Sequence, residues 1–248
     1  MFPYLRLGPF LLQMPLLALL IGLWVSVSYI EKEAARLSLN KDTLNNLVSY
    51  SLFGGIILAR LIYAAQYASI YLANPLSLFS LNTNTLSPVG GLLGGAAIAF
   101  FYGYRQKLSL RQMLDALTPG LAFFMIAIGI SHLLSGNAYG APSRVPWAMY
   151  LWSDYRHPSQ FYETFLALVI FTVVFTRMIP AATPGVRFVQ LIALSAVARV
   201  LLEAFRGDST LWLDGYRAAQ VTSLVILAIC IFLLRKWEGL DKHESNTR

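Results

Sequence analysis

Long apolar segments separated by short polar stretches dominate the pattern of this chain. Seven of these segments approach the roughly 20 residues that a helix needs to cross the hydrocarbon core of a bilayer. No internal repeat interrupts this pattern, and no segment is large enough to fold as a soluble domain. Residues 1–248 are therefore predicted to form a single integral membrane domain. The predicted spans cover about residues 10–30, 48–72, 88–104, 112–135, 161–180, 187–206 and 218–235.

Composition agrees with this pattern. Hydrophobic residues make up 57% of the chain and charged residues 12%, whereas soluble domains carry about 25% charged residues. We predict an all-α polytopic membrane protein with about seven transmembrane helices. The first apolar segment ends in Glu31-Lys32-Glu33 without a small-residue cleavage site, so we interpret it as a span rather than a signal peptide. The lone Cys230 and three scattered histidines predict no metal site, and no diffusible cofactor is indicated.

Basic residues in the loops predict the orientation of the chain. If the N-terminus lies outside, most of the lysines and arginines fall in inner loops and in the C-terminal tail, as the positive-inside rule requires. These include Lys32, Arg36, Lys41, Arg105, Lys107, Arg111, Arg177, Arg187, Arg235, Lys236, Lys242 and Arg248. The net charge of +7 then reflects this rule and contact with anionic lipids rather than nucleic-acid binding.

A dense polar cluster, Arg156-His157-Pro158-Ser159-Gln160-Phe161-Tyr162-Glu163, stands directly before the fifth span. The predicted orientation places it at the outer membrane surface. The loops 136–160 and 206–217 lie on the same side.

Charged residues inside the spans are the next candidates, because charges are costly there and mark functional sites by default. Arg199, Glu203 and Arg206 follow helical spacing, which predicts one face suited to an anionic phosphate. The alternative is an ion pair that fixes helix packing while Arg206 reaches the surface. Arg60 in the second span is interpreted either as a ligand of lipid phosphate or as the partner of a carboxylate such as Glu163 or Glu203.

Three further features are ambiguous from sequence. Gly90-Gly91-Leu92-Leu93-Gly94-Gly95 predicts close helix packing or room for a lipid chain. The turn-rich segment 136–143 contains Asn137 and Tyr139, and nearby aromatic residues suit an interfacial belt. His132 is either a general base or a satisfied polar group.

Together these stretches resemble the bacterial prolipoprotein diacylglyceryl transferase family along nearly the whole chain. The most specific match is Arg156 to Glu163; weaker matches are 54–63, 90–95, 136–142, 199–206 and 220–224. The resemblance implies helices around a lipid-accessible cavity in the bacterial plasma membrane. It also implies transfer of diacylglycerol from phosphatidylglycerol, or a related anionic lipid, to the lipobox cysteine of a prolipoprotein at the outer face. The expected partners are that lipid, the prolipoprotein signal peptide and the membrane.

The resemblance also implies roles for individual residues. Catalytic roles fall to Arg199, Glu203, His132 and His157. Lipid or phosphate binding falls to Arg60, Arg156, Gln160, Arg206, Asn137, Tyr139 and Gly140. Tyr162 and Glu163 are expected to support the cavity wall.

The chain departs from the family pattern at several positions. Where the family has Gly-Arg-Ile-Gly-Asn/Cys, this chain reads Ile128-Gly129-Ile130-Ser131-His132. Ala141 replaces a basic residue, and Val89 replaces a histidine. The sequence therefore allows two functions. One is a divergent active transferase; the other is a catalytically degenerate homologue that binds lipid or serves as a partner subunit of a membrane complex.

Overall fold

The computed structural model describes residues 4–8, 10–79, 85–181, 183–212 and 215–245, without the side chains of residues 7, 10 and 238–245. Arg248 of the predicted inner tail lies outside this part of the chain. Eight α-helices are described: α1 (Met14–Arg36), α2 (Lys41–Gln66), α3 (Ala68–Ala73), α4 (Pro88–Arg105), α5 (Leu110–Ser135), α6 (Ser159–Thr176), α7 (Val186–Glu203) and α8 (Ala218–Ser245). The predicted helical fold class is confirmed.

Within the described residues, three short antiparallel strand pairs adjoin the helices, in places where the sequence predicted only loops or span ends. They are formed by β1 (Tyr4–Leu7) with β2 (Phe10–Gln13), β3 (Met149–Leu151) with β4 (Asp154–Arg156), and β5 (Leu211–Trp212) with β6 (Tyr216–Arg217). Each is too short to carry a core of its own, since isolated two-stranded hairpins are marginally stable.

Five helices in the described part of the chain are long and apolar enough to cross a membrane: α1, α2, α5, α6 and residues Ala218–Trp237 of α8. The protein is therefore a multi-pass membrane protein. Two further helices of 18 residues, α4 and α7, are not among these five. Helix α4 contains several glycines and tyrosines, and α7 carries the charged residues Arg187, Arg199 and Glu203.

The chain divides into two compact units, and the prediction of a single domain stays a prediction. The smaller unit comprises Ala34–Met113. Its helix α2 begins where the Asn40 side chain accepts a hydrogen bond from Thr43 N at 3.0 Å, a typical N-cap. A Cβ on Gly55 would lie 3.0 Å from the Gly91 carbonyl oxygen. The glycine-rich start of α4 thus serves close helix packing.

The larger unit comprises Met1–Glu33 and Leu114–Arg248. Its core contains Ala122, Ile170, Leu191 and Ala198, from α5, α6 and α7. At the start of α7, the Asp115 carboxylate of α5 accepts hydrogen bonds from Gly185 N at 2.6 Å and Phe188 N at 3.1 Å. A carboxylate at a helix N-terminus is favourable, which explains this charged residue inside an apolar helix.

Candidate functional site

Three segments of the larger unit, 136–143, 154–160 and 205–207, form what we call the loop platform. Its central segment is held on both sides by backbone hydrogen bonds. Ala141 N donates to Phe205 O at 2.8 Å, and His157 N donates to Ala141 O at 3.0 Å. The platform therefore behaves as a small irregular sheet at the ends of α5, α6 and α7.

The polar cluster that is most conspicuous in the sequence holds this platform together. Arg156 Nη1 donates to Gly140 O at 3.3 Å, and its guanidinium lies 5.0 Å from the centre of the Tyr139 ring. Ser159 Oγ donates to Ala138 O at 2.5 Å, and Gln160 Nε2 donates to Asn137 O at 3.0 Å. These side chains satisfy carbonyls that secondary structure leaves unpaired.

The predicted lipid-binding roles of Arg156 and Gln160 stay predictions beside this structural role. The Gln160 side chain is only 1% exposed. Asn137 is exposed, whereas Tyr139 is half-buried beneath Arg156.

Gly140 is required where two platform segments meet. A Cβ at this position would lie 2.7 Å from the Cβ of His157, and a Cβ on Gly207 would lie 2.6 Å from the Gly140 carbonyl oxygen. Contacts this short force a shift of the backbone. Packing thus explains this glycine, and its predicted role in lipid binding stays a prediction.

Helices α5, α6 and α7 line a partly open cavity of about 120 Å³. Most of its lining is apolar, and it includes one carboxylate and one guanidinium, those of Glu163 on α6 and Arg199 on α7. The full lining is Met125, Ile128, Glu163, Leu166, Ala167, Ile170, Ser195, Ala198, Arg199 and Leu202. An apolar cavity with a few polar groups is the usual form of a small-molecule site. Its size and lining suit part of an acyl chain beside an anionic group.

Arg199 and Glu203 form an ion pair within α7. Arg199 Nη2 lies 3.4 Å from Glu203 Oε2, and the arginine side chain is 37% exposed whereas the glutamate side chain is 1% exposed. Neither carboxylate oxygen of Glu203 has a hydrogen-bond donor among the described residues. A buried carboxylate without hydrogen-bond donors depends on its cation for stabilisation. The ion pair therefore orients Arg199.

Arg206 lies beyond the end of α7 and is bound by a residue that sequence reasoning missed. Its Nε and Nη2 donate to the Asp208 carboxylate at 2.8 and 2.7 Å. The prediction that it continues the helical face of Arg199 and Glu203 is wrong, because the helix ends at Glu203. An acidic residue two positions further along the chain was the signal for this pairing.

Arg217 is a second residue that sequence reasoning missed as part of this region. Its Nη1 donates to the backbone carbonyl of Glu203, to Arg206 O at 3.1 Å and to Ser209 Oγ at 3.2 Å. A cation that donates to the last carbonyls of a helix is favourable. Its position just before the last span gave no signal of this long-range contact.

Two histidines predicted to be catalytic have different surroundings. His132 Nδ1 lies 2.8 Å from Glu163 Oε2. The His157 ring packs against Phe205, with centroids 5.3 Å apart. The Nδ1 atom of His157 is buried and has no hydrogen-bond partner among the described residues. Beside it, the Tyr162 hydroxyl accepts a hydrogen bond from Trp147 Nε1 at 2.7 Å, in keeping with its predicted supporting role.

Arg60 belongs to the smaller unit. The side chain is held by the segment that precedes α4. Its Nε donates to Leu78 O at 3.0 Å and its Nη2 to Ser77 O at 3.1 Å, while Nη1 contacts Thr85. The arginine therefore anchors the α3–α4 connection, and its predicted role in binding lipid phosphate stays a prediction.

Nearly the whole chain is similar to known proteins of one family. Residues 4–235 match the family model described as "Prolipoprotein diacylglyceryl transferase". Three similar proteins carry the name phosphatidylglycerol–prolipoprotein diacylglyceryl transferase. The one from Halalkalibacterium halodurans is 25% identical, covering 96% of this chain and 87% of its own. That from Clostridioides difficile is 28% identical over 78% of both chains, and that from Streptococcus uberis is 26% identical over 97% of both.

Proposed function

We propose, because the chain belongs to the prolipoprotein diacylglyceryl transferase family, that it transfers diacylglycerol from phosphatidylglycerol to the lipobox cysteine of a prolipoprotein. The relatives from three different bacteria carry that activity in their names. The match runs through nearly all of this chain, including every element around the cavity.

The cavity between α5, α6 and α7 is the observation that carries the proposal. Its apolar lining suits the hydrocarbon part of a lipid, and Arg199, which lines the same cavity, supplies a cation for its phosphate. Arginine offers a planar set of donors that matches phosphate oxygens. One small cavity thus combines the two kinds of contact that a phospholipid donor needs.

The reaction places its largest electrostatic demand on the leaving group. The thiolate sulfur of the acceptor attacks the glycerol carbon that bears the phosphate, and glycerol phosphate leaves with the bonding electrons. Cations aimed at the charge that develops in such a step are usually the main source of catalysis. We assign this role to Arg199, and to Glu203 the task of orienting it.

The remaining predicted residues receive supporting roles in the proposal. Arg156, Gln160, Asn137, Tyr139 and Gly140 shape the loop platform against which the head group or the signal peptide lies. Arg206 and His157 are proposed to contact the lipid at the edge of the cavity, and Arg60 is proposed to bind a lipid phosphate on the smaller unit. Tyr162 is proposed to support the platform through its hydrogen bond with Trp147.

The proposed location is the bacterial plasma membrane, with the N-terminus outside and the C-terminus in the cytoplasm. The uneven loop charges support this orientation. The loop platform then faces outward. The other candidate function, a catalytically degenerate lipid-binding or partner subunit, is not favoured by the comparisons.

Complementation tests the proposed function. The chain is expressed in bacteria depleted of their own transferase, and lipoprotein maturation is followed by mass spectrometry. We expect diacylglyceryl-modified lipoprotein and growth rescue, both lost in Arg199→Gln. Arg144→Gln is the matched control, because it removes an exposed loop arginine and should retain rescue. Absence of modified lipoprotein despite well-expressed wild-type protein in the membrane would refute the proposal.

A further inference from the structure

We propose that His132 is the general base that takes the proton from the acceptor thiol, and that Glu163 positions it. This inference rests on the proposed function, because the thiol acceptor comes from there. Thiolate rather than thiol is the nucleophile. A proton acceptor is therefore needed beside the cavity. Arg199 cannot supply one, because its guanidinium has only donors.

The geometry of the pair suits this task. His132 Nδ1 lies 2.8 Å from Glu163 Oε2, and an ionised carboxylate only accepts hydrogen bonds. The Nδ1–H of a neutral imidazole then points at Glu163, which leaves the lone pair on Nε2. The His132 side chain is 30% exposed and that of Glu163 is 18% exposed. The base is therefore reachable, while its partner is largely enclosed.

Glu163 connects this histidine to the cavity. The same carboxylate that binds His132 lines the cavity together with Arg199. The residue that holds the base and the residue proposed to hold the phosphate thus line the same cavity. A thiol entering this cavity would approach Arg199 directly, and His132 lies one hydrogen bond beyond Glu163.

A close approach of α5 and α6 creates the pair. Gly129, one turn before His132, lies against Thr164, the residue after Glu163. A Cβ on Gly129 would be 2.5 Å from Thr164 Oγ1 and 3.0 Å from Thr164 Cα. A rotamer change of the threonine would relieve only the first contact. Glycine is therefore required for the spacing at which the two side chains meet.

His157 does not offer the same chemistry. Its ring packs against Phe205 and its Nδ1 is buried without a partner among the described residues. No carboxylate is seen to orient it. Between the two histidines, His132 alone has a carboxylate partner within the described structure.

The thiol proton moves to His132 Nε2, the sulfur–carbon bond forms, and the carbon–oxygen bond to phosphate breaks. Glycerol phosphate departs as the anion with the electron pair of that bond. His132 then returns its proton to water or to the departing phosphate, and no oxidant or reductant is involved.

The test uses the purified full chain in phosphatidylglycerol vesicles with a lipobox peptide. His132→Ala should lower kcat by roughly 10²–10⁴-fold, the usual contribution of a general base, with little change in the KM for lipid. Added imidazole should restore part of the rate in proportion to its neutral form. Thr172→Ala, on an exposed part of α6, is the control and should retain wild-type kcat.

A selenocysteine peptide separates a base from a structural residue. A selenol ionises more readily than a thiol, so the losses in His132→Ala and Glu163→Gln should be much smaller with this acceptor. Equal losses with both acceptors, no rescue by imidazole, or an undiminished kcat would overturn the inference while wild-type transfer keeps the proposed function intact. Absence of transfer by the wild type would instead refute the proposed function.

Discussion

Polar side chains of the loop platform donate to backbone carbonyls, whereas the charged side chains of the cavity wall pair with other side chains. Arg156, Ser159 and Gln160 each hold a carbonyl of segment 136–143. Among the described residues, the Glu163 carboxylate bonds His132, and Arg199 pairs with a carboxylate that has no hydrogen-bond donor. Residues 156–160 of the most conspicuous sequence motif thus hold the platform together, whereas its last residue, Glu163, belongs to the cavity wall.

This difference has a physical reason. A loop platform must satisfy many buried backbone groups, because an unpaired carbonyl is costly. A cation that binds substrate must keep donors available, which is possible only where burial is incomplete. Substitutions in the platform should therefore lower stability without lowering turnover, whereas those in the cavity wall should lower turnover.

The largest expected effect falls on the cavity wall. Arg199→Gln should lower kcat by roughly 10²–10³-fold, the loss seen when one preorganised donor is removed from developing charge. The substitution also leaves the buried Glu203 carboxylate without its cation, so the melting temperature should fall as well. Kinetics in phosphatidylglycerol vesicles and a thermal scan in detergent measure the two quantities. A large fall in melting temperature with unchanged kcat would assign Arg199 to packing instead.

Substitutions in the loop platform should lower stability and leave kcat unchanged. Ser159→Ala leaves the buried carbonyl of Ala138 without its donor, which should lower stability by about 1–3 kcal/mol. The kcat of the protein that remains folded should stay near the wild-type value. Thermal scans and active-site-normalised rates check this. A large fall in kcat at unchanged stability would show that Ser159 takes part in the reaction.

Arg217 tests the junction of the two regions. Arg217→Gln should lower stability by about 1.5–3 kcal/mol, because its charged hydrogen bonds to the carbonyls of Glu203, at the end of α7, and of Arg206 are lost. Arg217→Lys keeps the charge and should restore part of this loss. Thermal scans of the three proteins measure it. Equal stability of all three would show that the contact contributes nothing.

The smallest expected effect concerns the Arg206–Asp208 pair. Asp208→Asn removes the charge that neutralises Arg206. Ion pairs near the surface are worth only about 0–1 kcal/mol, so stability should hardly change. If Arg206 contacts the lipid phosphate, the KM for phosphatidylglycerol should fall by a few-fold at most. A KM that is the same as that of the wild type would show that Arg206 does not contact the lipid phosphate and serves only the platform.

The sequence predicted the helices better than their ends. The predicted span 88–104 corresponds to Pro88–Arg105 and 112–135 to Leu110–Ser135. The predicted span 48–72 instead begins at Lys41 and ends at Gln66. Hydropathy does not register a polar N-cap such as Asn40, and the helix starts there among polar residues.

The candidate site residues came from the sequence and stay candidates, whereas most of their pairings came only from the structure. Arg199 with Glu203 followed from spacing along one helix. The His132–Glu163 contact did not, because it depends on how closely α5 approaches α6 at Gly129. The carbonyls that bind Arg156 and Gln160 were equally inaccessible, since backbone acceptors carry no sequence signal. Long-range geometry therefore limited the prediction, whereas the residue types did not.

Direct transfer by the purified wild-type chain tests the central claim most simply. The protein in phosphatidylglycerol vesicles is incubated with a lipobox peptide, and the peptide mass and released glycerol phosphate are measured together. The account predicts a peptide that gains one diacylglyceryl group for each glycerol phosphate released. An unmodified peptide, or glycerol phosphate released without peptide modification, would contradict it.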